Sequence, residues 1–256
     1  MRLIEPVARL GLAARGVVYV MVGILAAGAA AGRGRPADTG GAVRAIGVLD
    51  TSGVLLFTLA FGLAAYAAWR FAQAIHDLDS HGRSVRALAV RAGDVASGLG
   101  HLGLALTAAG FGSSRHSASM RAFVARSLAH PWGPWAVGLG GAIVLGAAVD
   151  QFHKAWTANF EEHLRLHRMT PDGRRWSRHI GRFGLLARGV VFLIVGWFLV
   201  RAAVHLNARE VRDFNGALRM LQSEPYGGWL LGIVALGTIS YGLLSFIDAR
   251  YRRILP

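Results

Sequence analysis

The chain contains no cysteine. This absence excludes disulfide bonds, thiolate catalysis, and zinc or iron–sulfur centres with cysteine ligands. Charged residues are also scarce, at 16% of the 256 residues, whereas a soluble domain carries about 25%. The sequence has no Gly-rich phosphate loop, no nucleophile elbow and no paired carboxylates that would support acid–base catalysis. It therefore predicts a protein that is not an enzyme and holds no cofactor.

Apolar residues make up 54% of the chain, and the mean hydropathy is +0.41. Six apolar runs approach or exceed the roughly 20 residues that cross a bilayer as a helix. The first run resembles a secretory signal, but its counterpart deep inside the chain cannot be one. The sequence therefore predicts an all-α integral membrane protein with six transmembrane helices, at 10–31, 53–75, 95–111, 135–156, 183–203 and 227–247. The third and fourth of these runs are the weakest.

A fingerprint near the N-terminus returns later in the chain. The segment RLGLAARGVVYVMVG, which starts at Arg9, recurs as RFGLLARGVVFLIVG from Arg182. A degenerate copy starts at Arg91 and has Ser97 where the other copies have arginine. A recurring segment of this kind indicates a repeated supersecondary unit. We predict three tandem helical hairpins, at 1–82, 83–170 and 171–256, an organisation compatible with a pseudo-threefold axis. Copies one and three also share Gly62 and Gly237, Tyr66 and Tyr241, and Phe71 and Phe246.

A short amphipathic segment separates the two long helices of each repeat. The clearest has apolar residues at helical spacing, and the others follow it less closely. We predict short interfacial helices that lie along the membrane surface or tuck beneath a neighbouring repeat, and the alternative is an ordinary structured loop. The apolar positions are Ala42, Val43, Ile46 and Leu49; Met120, Phe123, Val124 and Leu128; and Phe214, Ala217, Leu218 and Leu221.

The net charge is +14, and it is concentrated between the apolar runs. No recognised nucleic-acid motif accompanies it, so we expect no nucleic-acid partner. Basic flanks of membrane helices attract anionic lipid headgroups instead. The loops that share a side with both chain ends carry more arginine and lysine than the opposite loops. The positive-inside rule therefore predicts that both termini are cytoplasmic.

The repeated Gly-x-x-x-Arg-Gly at Gly11–Gly16 and Gly184–Gly189, followed by an aromatic-containing apolar helix, resembles a bacterial membrane-protein family. The family is catalogued as domain of unknown function 1206, and the resemblance covers essentially the whole chain. It implies three tandem two-helix repeats, six membrane helices and a multi-pass protein of the bacterial inner membrane. It implies no activity, substrate or catalytic residue.

Four arginines are candidates for binding an anion or a lipid headgroup: Arg9, Arg15, Arg182 and Arg188. Arg15 and Arg188 lie inside their apolar runs, from where a guanidinium can still reach the headgroups. The alternative is a helix-end or lipid-phosphate anchor. Arg9 and Arg15 point about 120° apart on a helix, so we do not expect them to clamp one ligand. The motif glycines are assigned to helix packing: Gly11, Gly16, Gly23, Gly184, Gly189 and Gly196.

Three further groups have side chains that could move protons or bind metal. His101 and Asp150 are ionisable groups in the second repeat, and a pair between them would form a proton relay. His163 and His167 have the i, i+4 spacing with which one helical face can chelate a divalent ion, and 76–81 holds further histidines and aspartates. The preferred interpretation of both loop clusters is solvated charge, so no metal site is predicted.

The function that these features favour is a non-enzymatic membrane module. It would bind membrane lipid, especially anionic lipid, or a partner protein, or it would form a homo-oligomer. The alternative is a small transporter or channel for an ion or solute, since repeats are common in transporters. A lipid-modifying enzyme is a third hypothesis, which no acid–base constellation supports.

Overall fold

The computed structural model describes residues 4–50, 53–76, 85–110 and 116–253. In these residues the regular structure is helical, with six long α-helices and three short ones. The long helices are α1 (Ile4–Ala30), α3 (Val54–His76), α4 (Val85–Ala108), α6 (Gly133–Thr157), α7 (Pro171–Val204) and α9 (Gly227–Tyr251). The short helices are α2 (Thr39–Leu49), α5 (His116–Leu128) and α8 (Phe214–Ser223). Three 3-10 helices lie at Asn159–His163, Leu166–Arg168 and Ala208–Glu210.

Five of the long helices are long and apolar enough to cross a membrane. The exception is α4, which covers most of the predicted third span and has 24 residues. Its apolar character is interrupted by Arg91, Asp94 and His101. The candidate spans are Glu5–Ala30, Val54–His76, Gly133–Thr157, Pro171–Val204 and Gly227–Tyr251.

The helices that contain the first and fifth predicted spans begin before the apolar runs. The helix α1 starts at Ile4 and α7 at Pro171, although their apolar runs start near residues 10 and 183. In α7 the hydroxyl of Thr170 accepts a hydrogen bond from the Gly173 N–H at 3.1 Å, and Pro171 occupies the first turn. A capped first turn lets a helix continue through polar residues, so an apolar run underestimates its length.

The long helices form a ring that is open at one place. Around the ring, α4 packs on α3, α3 on α1, α1 on α9, α9 on α7 and α7 on α6. The most extensive contacts join consecutive repeats, through α3 with α4 and α6 with α7, and the third repeat returns to the first through α9 and α1. The helices α4 and α6, which would close the second predicted hairpin, make little contact.

The same contact recurs at each junction between repeats. In the first and third repeats, the glycine that follows the motif arginine faces a phenylalanine ring of the preceding repeat. In the second repeat, the glycine that follows Ser97 does the same. A Cβ atom on this glycine would lie 2.7–3.0 Å from the ring, so a larger residue would not fit without displacement. The three junctions are Gly16 with Phe246, Gly98 with Phe71, and Gly189 with Phe152.

The remaining motif glycines also lie against another helix. A Cβ atom on Gly11 would lie 2.6 Å from the backbone of Tyr66, and one on Gly184 would lie 2.5 Å from the backbone of Tyr241. Gly23 faces α9, and Gly196 faces Leu145 of α6. These approaches bring the backbones of neighbouring helices together, as small residues do in membrane proteins.

The short helices tuck beneath the long ones. The aspartates Asp38 and Asp213 cap α2 and α8 by accepting hydrogen bonds from Gly41 and Gly216 at 2.7 and 2.8 Å. Each short helix buries apolar residues against a neighbouring repeat. The buried residues are Ala42, Val43 and Ile46 of α2, Val124 of α5, and Ala217 and Leu218 of α8.

Candidate functional site

The arginine that opens each copy of the motif binds the end of a helix in the preceding repeat, and the third repeat precedes the first around the ring. Carbonyl groups in the last turn of a helix lack partners within it, and a cation there also interacts favourably with the helix dipole. The three guanidinium groups make equivalent contacts around the ring. Arg9 donates to the carbonyls of Ala249 and Arg250 of α9, Arg91 to those of Ala74 and Ile75 of α3, and Arg182 to that of Trp156 of α6.

This arrangement gives Arg9 and Arg182, two of the four predicted anion-binding residues, a structural role. Arg9 is further engaged by an ion pair with Glu5 at 2.6 Å. An anion-binding role for these two arginines stays a prediction, and the site described below does not include them.

Arg15 lies buried at the centre of the ring and is fully engaged with neighbouring helices. Its guanidinium donates to the hydroxyl of Tyr66 at 2.6 Å and to that of Ser245 at 3.1 Å. An ion pair with Asp248 at 3.3 Å balances its charge. The ring of Tyr241 lies 5.3 Å from the guanidinium carbon, within the range of a cation–π contact. Arg15 therefore has its counterion within the protein.

Arg188 occupies the equivalent position in the third repeat but has a different environment. It donates a hydrogen bond to the hydroxyl of Tyr241, as Arg15 does to that of Tyr66. Its guanidinium carbon lies 4.7 Å from the ring centres of both Tyr241 and Phe192. Within the described part of the chain no carboxylate pairs with Arg188, and its buried Nε has no hydrogen-bond partner.

The repeat register explains why no carboxylate of the described residues pairs with Arg188. Because Phe152 packs on Gly189 as Phe246 packs on Gly16, Lys154 on α6 stands where Asp248 stands on α9. Lys154 is itself paired with Asp150 at 2.7 Å. The residue that corresponds to Asp248, the carboxylate partner of Arg15, is thus the cation Lys154.

The described residues of the second repeat place no cation at the position equivalent to Arg15 and Arg188. Ser97 takes the arginine position, and its carbonyl oxygen lies 2.8 Å from His101 Nδ1. The ring of His101 lies 4.5 Å from that of Tyr66. We call the group formed by Arg15, Tyr19, Tyr66, His101, Arg188 and Tyr241 the central cluster. Its members come from α1, α3, α4, α7 and α9, so all three repeats contribute to it.

The interior beside Arg188 is nearly filled. A cavity of about 10 Å³ lies between Arg188, Tyr19, Val191, Phe214, Thr238 and Tyr241. That is room for about one water molecule. Arg188 itself is only half-buried, so a larger anion would have to reach it along its accessible side.

The predicted pair of His101 and Asp150 is not formed. His101 lies in the central cluster, whereas Asp150 is bound to Lys154 one turn along α6. The physical reason is the opening between α4 and α6, since the pairing required these two helices to pack together.

The metal candidates are not arranged as ligands either. His163 and His167 belong to separate 3-10 helices, with extended backbone at Leu164 between them, so they do not share a helical face. An open cavity of about 460 Å³ lies here, lined by Glu161, Glu162, His167 and Arg253 among others. In the part of the chain that is described, no group of three or more histidine or acidic residues is placed to hold a metal ion. Residues 77–81 of the other loop cluster lie outside the described residues.

Sequence reasoning missed the partners of the arginines. Tyr66 and Tyr241 stand out only as residues shared by copies one and three, and nothing in the pattern joins them to Arg15 or Arg188. The repeat register could have identified Asp248, because it is a carboxylate and the equivalent residues of the other two repeats are Gln73 and Lys154.

Comparison with known proteins agrees with the internal repeats. The model of the family described as Domain of Unknown Function (DUF1206) matches residues 10–77, 92–158 and 183–252, one segment in each repeat. The protein named Uncharacterized protein YxxB of Bacillus subtilis (strain 168) is 34% identical over 248 residues, which are 96% of this chain and 90% of that protein. No solved structure matches the chain. The chain belongs to the DUF1206 family, as its repeated motif predicted.

Proposed function

We propose that this member of the family is a six-helix integral membrane protein that binds the anionic group of a membrane lipid through Arg188, without catalysing a reaction. The observation that carries the proposal is the contrast between two equivalent arginines. Arg15 is neutralised by Asp248 at 3.3 Å, whereas Arg188 has no carboxylate partner among the described residues.

A guanidinium held away from water without a counterion is costly. Removing an ion from water costs several kcal/mol unless a partner charge and hydrogen bonds compensate, and the cost persists within a bilayer. Arg188 keeps unused N–H donors at its Nε and its second terminal nitrogen. A phosphate oxygen on the accessible side of Arg188 would accept a charge-assisted hydrogen bond from the second terminal nitrogen. An anion at this position would therefore relieve the cost.

The proposal includes α4 as the sixth membrane helix. Asp94, the carboxylate that interrupts its apolar surface, is buried and paired with Arg70 of α3 at 2.7 Å. Arg91 is bound to carbonyls at the end of α3. Charges that are paired within the protein are tolerated in a membrane helix. The excess of arginine at the end of the ring that holds both termini favours placing that end in the bacterial cytoplasm.

The filled interior favours binding over conduction. Tyr66 and Leu63 are fully buried inside the ring, and the cavity beside Arg188 holds about one water molecule. The carboxylate of the central region, Asp248, is held by Arg15, which leaves it unsuited to act as a general base. These features support a binding module in preference to a channel or an enzyme.

The test is retention of lipid by purified protein, measured by native mass spectrometry after exposure to equal amounts of phosphatidylglycerol and phosphatidylcholine. We expect the wild type to retain phosphatidylglycerol, and Arg188→Gln to retain at least about tenfold less, since charge-assisted hydrogen bonds contribute about 1.5–3 kcal/mol each. The matched control is Arg219→Gln, which removes the same charge from an exposed position on α8.

A parallel sample with inorganic phosphate and no lipid distinguishes a headgroup from a free anion. Stabilisation of the wild type by phosphate alone would identify a small inorganic anion as the ligand and would contradict the lipid assignment. Equal phosphatidylglycerol retention by the wild type and Arg188→Gln would contradict the proposal altogether.

A further inference from the structure

Among the described residues the ring has one lateral opening, between α4 and α6 of the second repeat. The first and third repeats close their hairpins through close glycine contacts: Gly11 meets the backbone of Tyr66, and Gly184 meets that of Tyr241. The equivalent residue of α4 is Gly93, and a Cβ atom placed there would meet nothing within 4 Å. The opening therefore occupies the place where the other two repeats have packed helices.

A substitution in the repeat pattern disfavours closure of this hairpin. Gly62 of α3 and Gly237 of α9 admit the methyl groups of Ala14 and Ala187 from the facing helix. The register set by Phe71, Phe152 and Phe246 places Ile143 of α6 at the position of these glycines. A branched side chain there cannot let α4 approach as closely as a glycine does. Ile143 is 56% exposed, in agreement with an unclosed hairpin.

The walls of the opening are apolar and shaped for a narrow occupant. Gly93 and Gly100 lie two turns apart on one face of α4, and Gly140 lies one turn from Ile143 on α6; a Cβ atom at any of these three glycines would meet nothing within 4 Å. Exposed apolar side chains lie beside them, including Leu99 of α4 at 59% and Ile143 of α6 at 56% exposure. Glycine faces between apolar side chains suit an extended hydrocarbon chain, which packs against them without requiring hydrogen bonds.

The chemistry at the inner end of the opening is cationic. Its positive charge is that of Arg188 in the central cluster, on α7, the neighbour of α6. Arg188 lies about 9 Å along the α7 axis from Arg182, which binds the end of α6. Arginines Arg174, Arg175 and Arg178 continue along the same end of α7. An occupant with a negative head and an apolar tail would match both parts of the site.

We propose that an anionic glycerophospholipid enters between α4 and α6, with an acyl chain along the glycine faces and its phosphate on the guanidinium of Arg188. This inference rests on the proposed function and adds the route and the class of ligand. A second copy of the chain is a poorer occupant, because it would bring the same basic residues towards Arg188, and like charges repel.

The test fills the opening without touching the cation. Gly93→Trp places a large side chain where a Cβ atom has free space, and Ile143→Trp fills the opening from the opposite wall if the first variant does not fold. The matched control is Ile233→Trp, at a position of α9 that is 54% exposed and away from the opening. Each protein is exposed to vesicles of phosphatidylglycerol and phosphatidylcholine, purified, and analysed for retained lipid and for oligomeric state.

We expect Gly93→Trp to reduce phosphatidylglycerol retention by at least about tenfold, with an unchanged thermal midpoint, while Ile233→Trp behaves as the wild type. If Gly93→Trp and Ile143→Trp keep the lipid while Arg188→Gln loses it, the lateral route is wrong and the proposed function stands. If all three keep it, both are wrong. A wild-type dimer that Gly93→Trp converts to a monomer would assign the opening to a second copy and overturn the inference.

Discussion

The third repeat closes its two long helices beside a half-buried arginine, whereas the second repeat has neither the closed hairpin nor the arginine. The positions at which they differ include Gly237 against Ile143, Tyr241 against Ala147, and Arg188 against Ser97. The contacts between repeats are nevertheless the same, since Gly98 meets Phe71 as Gly189 meets Phe152. The comparison indicates that contacts between repeats maintain the ring, whereas contacts within a repeat can differ. The proposed binding site lies where they differ.

The largest expected effect separates the two arginines. Asp248→Asn leaves the buried Arg15 without its counterion, and breaking a buried ion pair from one side costs about 3–5 kcal/mol. Arg188→Gln removes a cation that has no carboxylate partner among the described residues, so in lipid-free detergent we expect no loss of stability, or a gain. The measurement is the thermal midpoint of each variant. A destabilisation by Arg188→Gln as large as that by Asp248→Asn would show that Arg188 is a structural ion like Arg15.

The next effect concerns the closed and open hairpins. Gly184→Leu forces a side chain against the backbone of Tyr241, which would lie 2.5 Å from the new Cβ atom, and overpacking of this kind costs about 1–3 kcal/mol or more. The same change at Gly93 meets open space. We expect the first variant to lose monodisperse protein on size-exclusion chromatography and the second to match the wild type. Equal losses would mean that α4 and α6 also pack closely.

A smaller effect is expected at the helix ends. Arg91→Gln removes the cation that binds the carbonyls of Ala74 and Ile75. Charges at helix termini contribute about 0.3–1 kcal/mol, or up to 2 when partly buried. The thermal midpoint of Arg91→Gln should therefore fall by a few degrees, while that of Arg219→Gln should not change. A thermal midpoint for Arg91→Gln equal to that of the wild type would contradict the capping role of Arg91.

The smallest effect lies at the end of the ring opposite the termini, outside the membrane helices. A hydrogen bond from His205 and the charge of Arg201 hold the pKa of Glu210 below its ordinary value. A lowered carboxyl pKa stabilises the fold above the ordinary pKa of glutamate, about 4.3, and this stabilisation is lost as the pH falls through the lowered value. Glu210→Gln should therefore show a slightly flatter acid limb in thermal midpoints measured against pH. An acid limb identical to that of the wild type would mean that Glu210 does not contribute to the loss of stability at low pH.

Local patterns predicted the helices and the packing glycines better than the site. Apolar runs and the recurring Arg and Gly positions depend on neighbours in sequence, so the repeats and most helices could be read directly. The capping role of Arg9 could not, because its carbonyl partners lie at Ala249 and Arg250, at the other end of the chain. That Arg188 has no carboxylate partner in the described part of the chain could not be predicted either, because it depends on the register between α6 and α7, which only packing defines.

The most direct test of the account supplies Arg188 with a carboxylate. Lys154→Asp combined with Asp150→Asn places an acid where Asp248 serves Arg15, and removes the neighbouring charge that would repel it. Because a ligand that binds only the folded state raises its stability, phosphatidylglycerol should raise the thermal midpoint of the wild type. We predict that this shift is abolished in the double variant, whose midpoint without lipid is at least that of the wild type. A shift of the same size in both proteins would contradict the assignment of Arg188 as the anion-binding residue.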